Sequence, residues 1–373
     1  MANIYLDYAA TSRKHFDIIE KNMNILKEVY ANPSSGHTLG KKNNRLVREG
    51  REKIANTLNA SSNEIIFNSG GTESNNTVFN HVLNRFETGE IIISSIEHPS
   101  VKASAKRLER FGFKVHELSV DESGSISLDE LKEKINSKTV LISIMLANNE
   151  TGVLNPIKEV SELIADKNIL LHSDIVQALG KVEIDVKELG LDFASASAHK
   201  LGSLNNFGFL FAKDGDVEPL LLGGGQENGL RSGTTDLLGI LVLNDCLSET
   251  LNSIPALREL KNYFISELEK NEVEFEVNGS AENSLPNILN IYFKNIEAQR
   301  LITYLDARDI YISGGSACSS GNIKGSRIIT EMYNIERAAH SVRISVGFDT
   351  SKELIDEVVE KIVTLEKRIK ERN

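Results

Sequence analysis

Five clusters of polar residues in the first 200 positions each follow a short apolar run. They occupy residues 68–76, 97–100, 148–152, 172–174 and 195–200. Carboxylates, amides, imidazoles, hydroxyls and a lysine amine occur in them, a set suited to binding an anionic ligand and to acid–base or nucleophilic chemistry. The carboxyl ends of strands form the ligand crevice in open α/β sheets, so we expect the clusters to converge in space.

The first cluster contains two adjacent glycines, Gly70 and Gly71, followed by Thr72. Glycines let backbone amides approach an anion, and the N-terminus of the helix that follows adds partial positive charge. Taken alone, such a segment is more often an ordinary turn between a strand and a helix. It matches neither a Gly-x-Gly-x-x-Gly nor a Walker motif, so it gives little support for nucleotide binding.

Asp174 ends an apolar strand, where a carboxylate is costly unless it meets a cation. A protonated pyridine nitrogen would supply that cation and make the ring an electron sink. Capping of the next helix explains Asp174 equally well. Lys200 follows small residues that let its amine lie enclosed, and burial lowers a lysine pKa as Schiff-base chemistry requires. A phosphate cradle, a carboxylate and a lysine in this order predict a pyridoxal phosphate site.

His98 and Asn149 belong to the two remaining clusters. A lone histidine is more often structural, but Pro99 fixes the turn and would hold the His98 ring at the strand end. Paired asparagines such as Asn148 and Asn149 are typical of turns. They could equally offer an amide to a cofactor oxygen.

The elements that must position these residues alternate between apolar runs and amphipathic stretches, which predicts a mainly parallel sheet covered by helices. Strands are predicted over 65–67, 91–93, 140–146, 169–171, 193–195 and 207–211, with helices over 101–111 and 156–165. A helix over 255–270, strands over 274–277, 288–293 and 341–346, and helices over 297–308 and from 351 predict a smaller α+β domain. We therefore expect a large domain over 13–250 and a small domain that combines 1–12 with 251–373.

Bulk composition favours a soluble globular protein. The net charge of −11 argues against direct nucleic-acid binding, and no apolar run approaches the ~20 residues that span a bilayer. The first residues lack the features of a signal peptide, so a cytoplasmic location is expected. Two cysteines, Cys246 and Cys318, form neither a disulfide framework nor a metal cluster, and no metal is expected.

Motifs along nearly the whole chain resemble the cysteine desulfurases of the NifS/IscS type, within the class V aminotransferases. The matching segments are 6–11, 32–37, 69–75, 97–99, 148–152, Asp174 with Gln177, 197–200, 223–227, 231–234, 315–318 and 342–345. The resemblance implies the aminotransferase-like fold, known as pyridoxal phosphate fold type I. It also implies a pyridoxal-phosphate-dependent enzyme that takes L-cysteine as substrate.

The resemblance further implies a role for each matching residue. Lys200 would hold the cofactor as a Schiff base, Asp174 would pair with its ring nitrogen, and Gln177 would contact its hydroxyl. His98 would lie over the ring and assist proton transfer. The phosphate would be held by Thr72, Ser197 and His199 beside Gly71, with Thr234 reaching it from the other subunit of a homodimer. Asn149 and Arg343 would bind the substrate carboxylate.

Cys318 lies in a loop of small residues, 313–321. A surface turn with an incidental thiol is one explanation, but exposed cysteines are uncommon and a flexible loop suits a nucleophile that must move. The resemblance implies that Cys318 takes sulfur from cysteine as a persulfide and delivers it to an acceptor protein. The expected acceptor is either an iron–sulfur scaffold protein or a tRNA-thiolating enzyme, and the sequence does not distinguish them. Cys246, within an apolar stretch, is expected to pack in the core.

Two departures from the family pattern lie beside predicted functional elements. Residues 201–208 replace a Gly-Pro-Lys-Gly-like segment, and Tyr8 replaces the usual asparagine. One alternative to a cysteine desulfurase is a selenocysteine lyase, or another lyase or aminotransferase of the same fold. Another is a catalytically degenerate scaffold for sulfur transfer, which the altered segment after Lys200 motivates.

Overall fold

The computed structural model describes residues 3–315 and 325–371. Its strands are β1 (Ile4–Tyr5), β2 (Ile65–Asn68), β3 (Glu90–Ser94), β4 (Lys114–Leu118), β5 (Thr139–Ser143), β6 (Leu170–Asp174), β7 (Phe193–Ser197), β8 (Gly208–Ala212), β9 (Phe275–Val277), β10 (Ile288–Phe293), β11 (Ile310–Tyr311) and β12 (Ser341–Ser345). Its helices are α1 (Phe16–Glu28), α2 (Thr38–Thr57), α3 (Gly71–Arg85), α4 (Pro99–Glu109), α5 (Leu128–Lys134), α6 (Ile157–Leu163), α7 (Leu237–Lys270), α8 (Ala298–Asp306), α9 (Arg327–Met332), α10 (Ile335–Ala339) and α11 (Lys352–Lys370).

The central sheet has the strand order β2-β8-β7-β6-β5-β3-β4. Strand β8 runs antiparallel to its neighbours β2 and β7, and the other neighbouring pairs are parallel. The predicted mainly parallel α/β sheet is therefore confirmed. Its topology places the carboxyl ends of β3, β5, β6 and β7 at one edge.

Alternate residues of the central strands face two different hydrophobic cores. Ile91 and Ile93 of β3 pack with α3 and α4, whereas Ile92 belongs to a larger core that includes residues of α2 and α7. Because both faces of the sheet are covered, successive residues of each central strand are buried, and the strand sequences are continuous apolar runs. Strand β4 was not predicted, because it is an edge strand in which Leu118 alone is buried.

A third hydrophobic core joins the C-terminal elements to the N-terminal segment, since Ile4 and Leu6 pack there. Strand β1 pairs in parallel with β11, and β10 lies between β9 and β12 in an antiparallel sheet. Helix α7 contributes Leu243 to the largest core and Leu268 to the third. The domain boundary predicted near residue 250 thus lies inside one continuous helix.

Helix α7 begins at Leu237, well before the predicted start at Pro255. Pro255 lies within the helix. Ile240, Leu243 and Leu247 extend its buried face towards the N-terminus. By length and composition alone, α7 could cross a membrane. Buried core helices of soluble proteins have the same property, and these three residues are buried against the sheet.

Candidate active site

A cavity of about 610 Å³ opens at the carboxyl ends of the central strands. Ten of the predicted site residues line it: Gly71, Thr72, His98, Asn149, Asp174, Gln177, Ser197, His199, Lys200 and Arg343. The polar clusters therefore meet in space, because the strands that precede them end at the same edge of the sheet. The chemical role of each residue stays a prediction.

Two predicted site residues stand apart from this set. Thr234 is exposed and lines an adjacent cavity of about 210 Å³, which shares Ser69 and Asn206 with the larger one. The role predicted for Thr234 requires a second subunit and stays a prediction. Cys318 lies outside the described residues.

The turn between β2 and α3 brings the main chain to the cavity wall. Gly70 has a φ of +121°, and a Cβ added at Gly71 would lie 2.6 Å from Val176 Cγ2. Both positions therefore favour glycine. Glu73 braces the turn by accepting a hydrogen bond from Arg231 Nε at 2.9 Å. The N-terminus of α3 is thereby held at the cavity, where it can stabilise an anion such as a phosphate.

The Asp174 carboxylate is buried, and both of its oxygens accept hydrogen bonds. Oδ2 accepts from Asn75 Nδ2 at 2.9 Å and Oδ1 from the Val176 amide at 3.0 Å. Residues 175–180 contain turns rather than a helix, so the helix-capping explanation of Asp174 is wrong. The carboxylate closes a short turn and lines the cavity, where it can pair with a cationic ring nitrogen.

His98 is linked to Asp174 through two residues to which sequence reasoning gave no role, Ser100 and Asn75. Asn75 Nδ2 also donates to Ser100 Oγ at 2.8 Å, and Ser100 Oγ lies 2.7 Å from His98 Nδ1. The Ser100 amide donates to the same ring nitrogen, which places the ring proton on Nε2. Burial lowers the pKa of His98, so its ring is neutral near pH 7.

Lys200 lies in a short 3₁₀ turn, Ala198–Leu201, directly after β7. Its amine donates to Ala9 O at 2.6 Å and Ala10 O at 2.7 Å. Gln177 Nε2 donates to the same Ala9 oxygen at 3.0 Å. Gln177 Oε1 is buried without a hydrogen-bond partner in the described part of the chain, so it is available to accept from a ligand hydroxyl.

Two lysines, Lys181 and Lys200, lie close enough for their charges to interact. Lys181 is buried, and its burial together with the charge of Lys200 lowers the pKa of Lys181 to about 7. Burial and the neighbouring lysine charges lower the pKa of His199 to about 3, so its ring is neutral. His199 Nδ1 lies 3.2 Å from Thr11 Oγ1. Lysine amines around a neutral imidazole favour an anionic ligand on this side of the cavity.

Arg343 of β12 is buried and also lines the cavity. Its Nη1 donates to the Asn149 carbonyl oxygen at 2.9 Å, and its Nη2 donates to Asp7 Oδ1 at 2.7 Å. Asp7 thus already occupies one side of the guanidinium. A substrate carboxylate would share Arg343 with Asp7, a neighbour that sequence reasoning did not identify.

The segment after Lys200 is held by a lysine from elsewhere in the chain. Lys14 Nζ donates to Ser203 O at 2.6 Å and to Asn205 Oδ1 at 2.8 Å. Asn206 adopts a φ of +53°, a conformation that favours glycine. Both asparagines line the cavity, so the departure from the family pattern reaches the site itself.

Tyr8, the other departure, is buried beside the N-terminal segment that contacts Lys200. Its hydroxyl donates to Asp349, which also forms an ion pair with Arg13. Burial, with the Asp349 carboxylate, raises the pKa of the Tyr8 phenol well above its usual range. Tyr8 therefore ties this segment to the loop after β12.

These residues fit pyridoxal phosphate. The α3 N-terminus with its glycine turn suits the phosphate, and Asp174 suits a protonated ring nitrogen. The unpartnered Gln177 Oε1 suits the ring hydroxyl. Lys200 lines the same cavity. Its amine would supply the nucleophile for a carbonyl group on such a ring.

Comparisons with known proteins identify the family. A profile described as aminotransferase class-V matches residues 4–358. The chain is 38% identical to cysteine desulfurase IscS of Dictyoglomus turgidum, over 97% of this chain and 96% of that protein. A solved NifS-like protein aligns with a TM-score of 0.90 at 32% identity, covering 98% of this chain and all of that one.

A second solved structure, described as SspA in complex with cysteine, aligns with a TM-score of 0.82 at 32% identity. The alignment covers 92% of this chain and 98% of that one. Both structures match nearly the full chain, as the motifs along the sequence do. The protein therefore belongs to the class V aminotransferases and, within them, to the cysteine desulfurases of the NifS/IscS type.

Proposed function

We propose that this protein is a pyridoxal-phosphate-dependent cysteine desulfurase that converts L-cysteine to L-alanine and transfers the sulfur to Cys318. The observation that carries the proposal is the single cavity in which Lys200, Asp174 and His98 meet. When bound, the cofactor supplies an electron sink for the carbon atoms of the substrate. The remaining chemistry falls to side chains of this chain.

Each side chain has a distinct task in the proposed reaction. Lys200 would hold the cofactor covalently, and Asp174, braced by Asn75, would keep its ring nitrogen protonated. His98 is neutral, with its proton on Nε2, so it can exchange a proton with the substrate. Arg343 holds the substrate carboxylate through charge-assisted hydrogen bonds.

Sulfur transfer requires a nucleophilic thiolate, which we assign to Cys318. Its sulfur forms an S–S bond with the substrate sulfur while the Cβ–S bond of the substrate breaks. The electron pair of that bond stays with the carbon, which gains a proton and leaves as alanine. The product on the enzyme is a Cys318 persulfide, and a second thiol is needed to release it as sulfide.

Replacing each cysteine in turn tests the assignment. Cys318→Ala is expected to bind the cofactor normally but to form neither alanine nor persulfide from L-cysteine. Cys246→Ala is the matched control, because Cys246 is buried in α7 and burial raises its thiol pKa to about 12. Full activity in Cys318→Ala would exclude Cys318 as the sulfur acceptor. If the wild-type enzyme forms alanine from selenocysteine but not from cysteine, the protein is instead a selenocysteine lyase.

We also propose that the enzyme is a cytoplasmic homodimer that passes sulfur to an iron–sulfur scaffold or to a tRNA-thiolating enzyme. Leu222 is 82% exposed in the segment that leads to Thr234, which supports its burial by a second subunit. Light scattering tests the dimer. Affinity capture with the Cys318 persulfide intact distinguishes the acceptors.

A further inference from the structure

Arg327, the first residue of α9, contacts the turn that carries His98. Its Nη1 donates to the Ser95 carbonyl oxygen, and its Nη2 donates to the Glu97 carbonyl oxygen at 3.1 Å. The two acceptors lie on either side of Ile96, and Glu97 directly precedes His98. One planar guanidinium thus spans the main chain that leads into the catalytic histidine.

The same turn is attached to the sheet from another direction. Asn148 Nδ2 donates to the Ile96 carbonyl oxygen at 3.4 Å, and the Met145 amide donates to Glu97 Oε1 at 2.8 Å. These contacts come from residues that follow β5. Arg327 supplies the complementary contact from the C-terminal part of the chain.

The neighbour of Arg327 makes a parallel connection. Ser326 Oγ donates to the Glu150 carboxylate and accepts from the Ile329 amide at 3.1 Å, which caps α9. Glu150 directly follows Asn149. Two consecutive residues at the start of α9 therefore contact the segments of two predicted site residues, His98 and Asn149.

We propose that Arg327 is a positioning residue that fixes the His98 imidazole for proton transfer by holding the carbonyl groups of the preceding turn. The inference rests on the proposed function. Arg327 is absent from the described residues that line the cavity, so it acts through the main chain of residues 95–97. It is expected to affect turnover and not cofactor loading.

Arg327→Gln in the holoenzyme tests this role, with Glu331→Gln on the exposed side of the same helix as the control. Because small misplacements of reacting groups are costly, kcat is expected to fall roughly 10- to 100-fold. The spectroscopic Kd for L-cysteine and the cofactor content are expected to stay unchanged. Amide hydrogen exchange in residues 95–101 is expected to rise, and Arg327→Lys, with one amine, is expected to recover part of kcat.

The outcomes separate this role from a general structural one and from the proposed activity. Wild-type kcat in Arg327→Gln, or unchanged exchange in residues 95–101, would overturn the positioning role. If Arg327→Gln loses global stability, Arg327→Lys decides: reduced kcat with normal cofactor content supports positioning, and wild-type kcat refutes it. Wild-type enzyme that makes no alanine would reject the proposed function, while the exchange measurement would still report whether Arg327 holds the turn.

Discussion

The amide of Asn75 donates a 2.9 Å hydrogen bond to the carboxylate of Asp174. The same amide nitrogen reaches Ser100, which contacts the His98 ring. One side chain of α3 therefore connects the carboxylate expected at the ring nitrogen of the cofactor with the imidazole expected over the ring. This connection orients both groups before any ligand binds.

Asn75→Ala should disturb the positions of the Asp174 carboxylate and the His98 imidazole together. It removes a hydrogen bond to a buried carboxylate, of the kind that contributes about 1.5–3 kcal/mol. We expect reduced cofactor affinity, measured as the loss of bound-cofactor absorbance when the holoenzyme is diluted. We also expect kcat to be at least about ten-fold lower. Asn76→Ala, at the next position on the same helix, is the control. Among the contacts of the described residues, the Asn76 side chain bonds only to the Thr72 carbonyl oxygen, so its loss should leave both quantities near wild type.

Ionisation of Glu97 should lower the stability of the folded protein as pH rises. Burial raises the pKa of its carboxyl to about 8, so the folded protein keeps a proton that the unfolded chain loses near pH 4.5. The stabilisation from that proton is complete below the unfolded pKa and is lost as pH rises through the folded one. Glu97→Gln should remove this loss, which amounts to up to about 1.4 kcal/mol per pH unit in this range.

Chemical denaturation of both proteins between about pH 5 and about pH 8 measures this difference. Parallel pH profiles for wild type and Glu97→Gln would show that Glu97 is ionised in the folded protein. Glu117→Gln, a change at an exposed carboxylate paired with Lys102, is the control.

Tyr8 and Asp349 should be energetically coupled. A hydroxyl bound to a carboxylate in a partly buried setting is expected to contribute about 1.5–3 kcal/mol, so Tyr8→Phe and Asp349→Asn should each destabilise the protein. A double-mutant cycle by urea denaturation should give a coupling energy of about 1 kcal/mol or more. Additive effects of the two substitutions would mean that the contact contributes nothing to stability.

Asn206→Gly should be neutral or stabilising by up to about 1 kcal/mol, because glycine adopts a positive φ without steric cost. Asn205→Gly is the contrasting variant. Its side chain accepts a hydrogen bond from Lys14, so its loss should lower the melting temperature. Equal destabilisation by the two changes would argue against backbone strain at Asn206.

Much of the fold could be predicted from the sequence because buried parallel strands are apolar throughout. Strands β2, β3, β5, β6, β7 and β8 were each predicted within a few residues, and so were α4 and α11. Strand β4 has mostly exposed or half-buried side chains, and β1 and β11 are two residues long, so none of the three carries a local signal. The length of α7 was missed because Pro255 looked like a helix start.

The site was predictable where side-chain type reveals chemistry, as for Lys200 and Asp174. It was not predictable where the main chain contributes, as with the carbonyl groups of Ala9 and Ala10 that accept from Lys200. Asn75 could have been suspected, because it lies one helical turn beyond Gly71 and so faces the same side of α3. The contacts of Arg327 join segments far apart in sequence, and no local pattern reports them.

The pairing of β1 with β11 has a consequence for how the protein is made. Ile4 and Tyr5 cannot find their partners until Ile310 and Tyr311 have left the ribosome. The Ala9 and Ala10 carbonyl groups lie in the segment a few residues after β1. The lysine pocket therefore reaches its final shape only after most of the chain has been translated. Such long-range closure slows folding, and it means that nascent or truncated chains carry Lys200 without its complete surroundings.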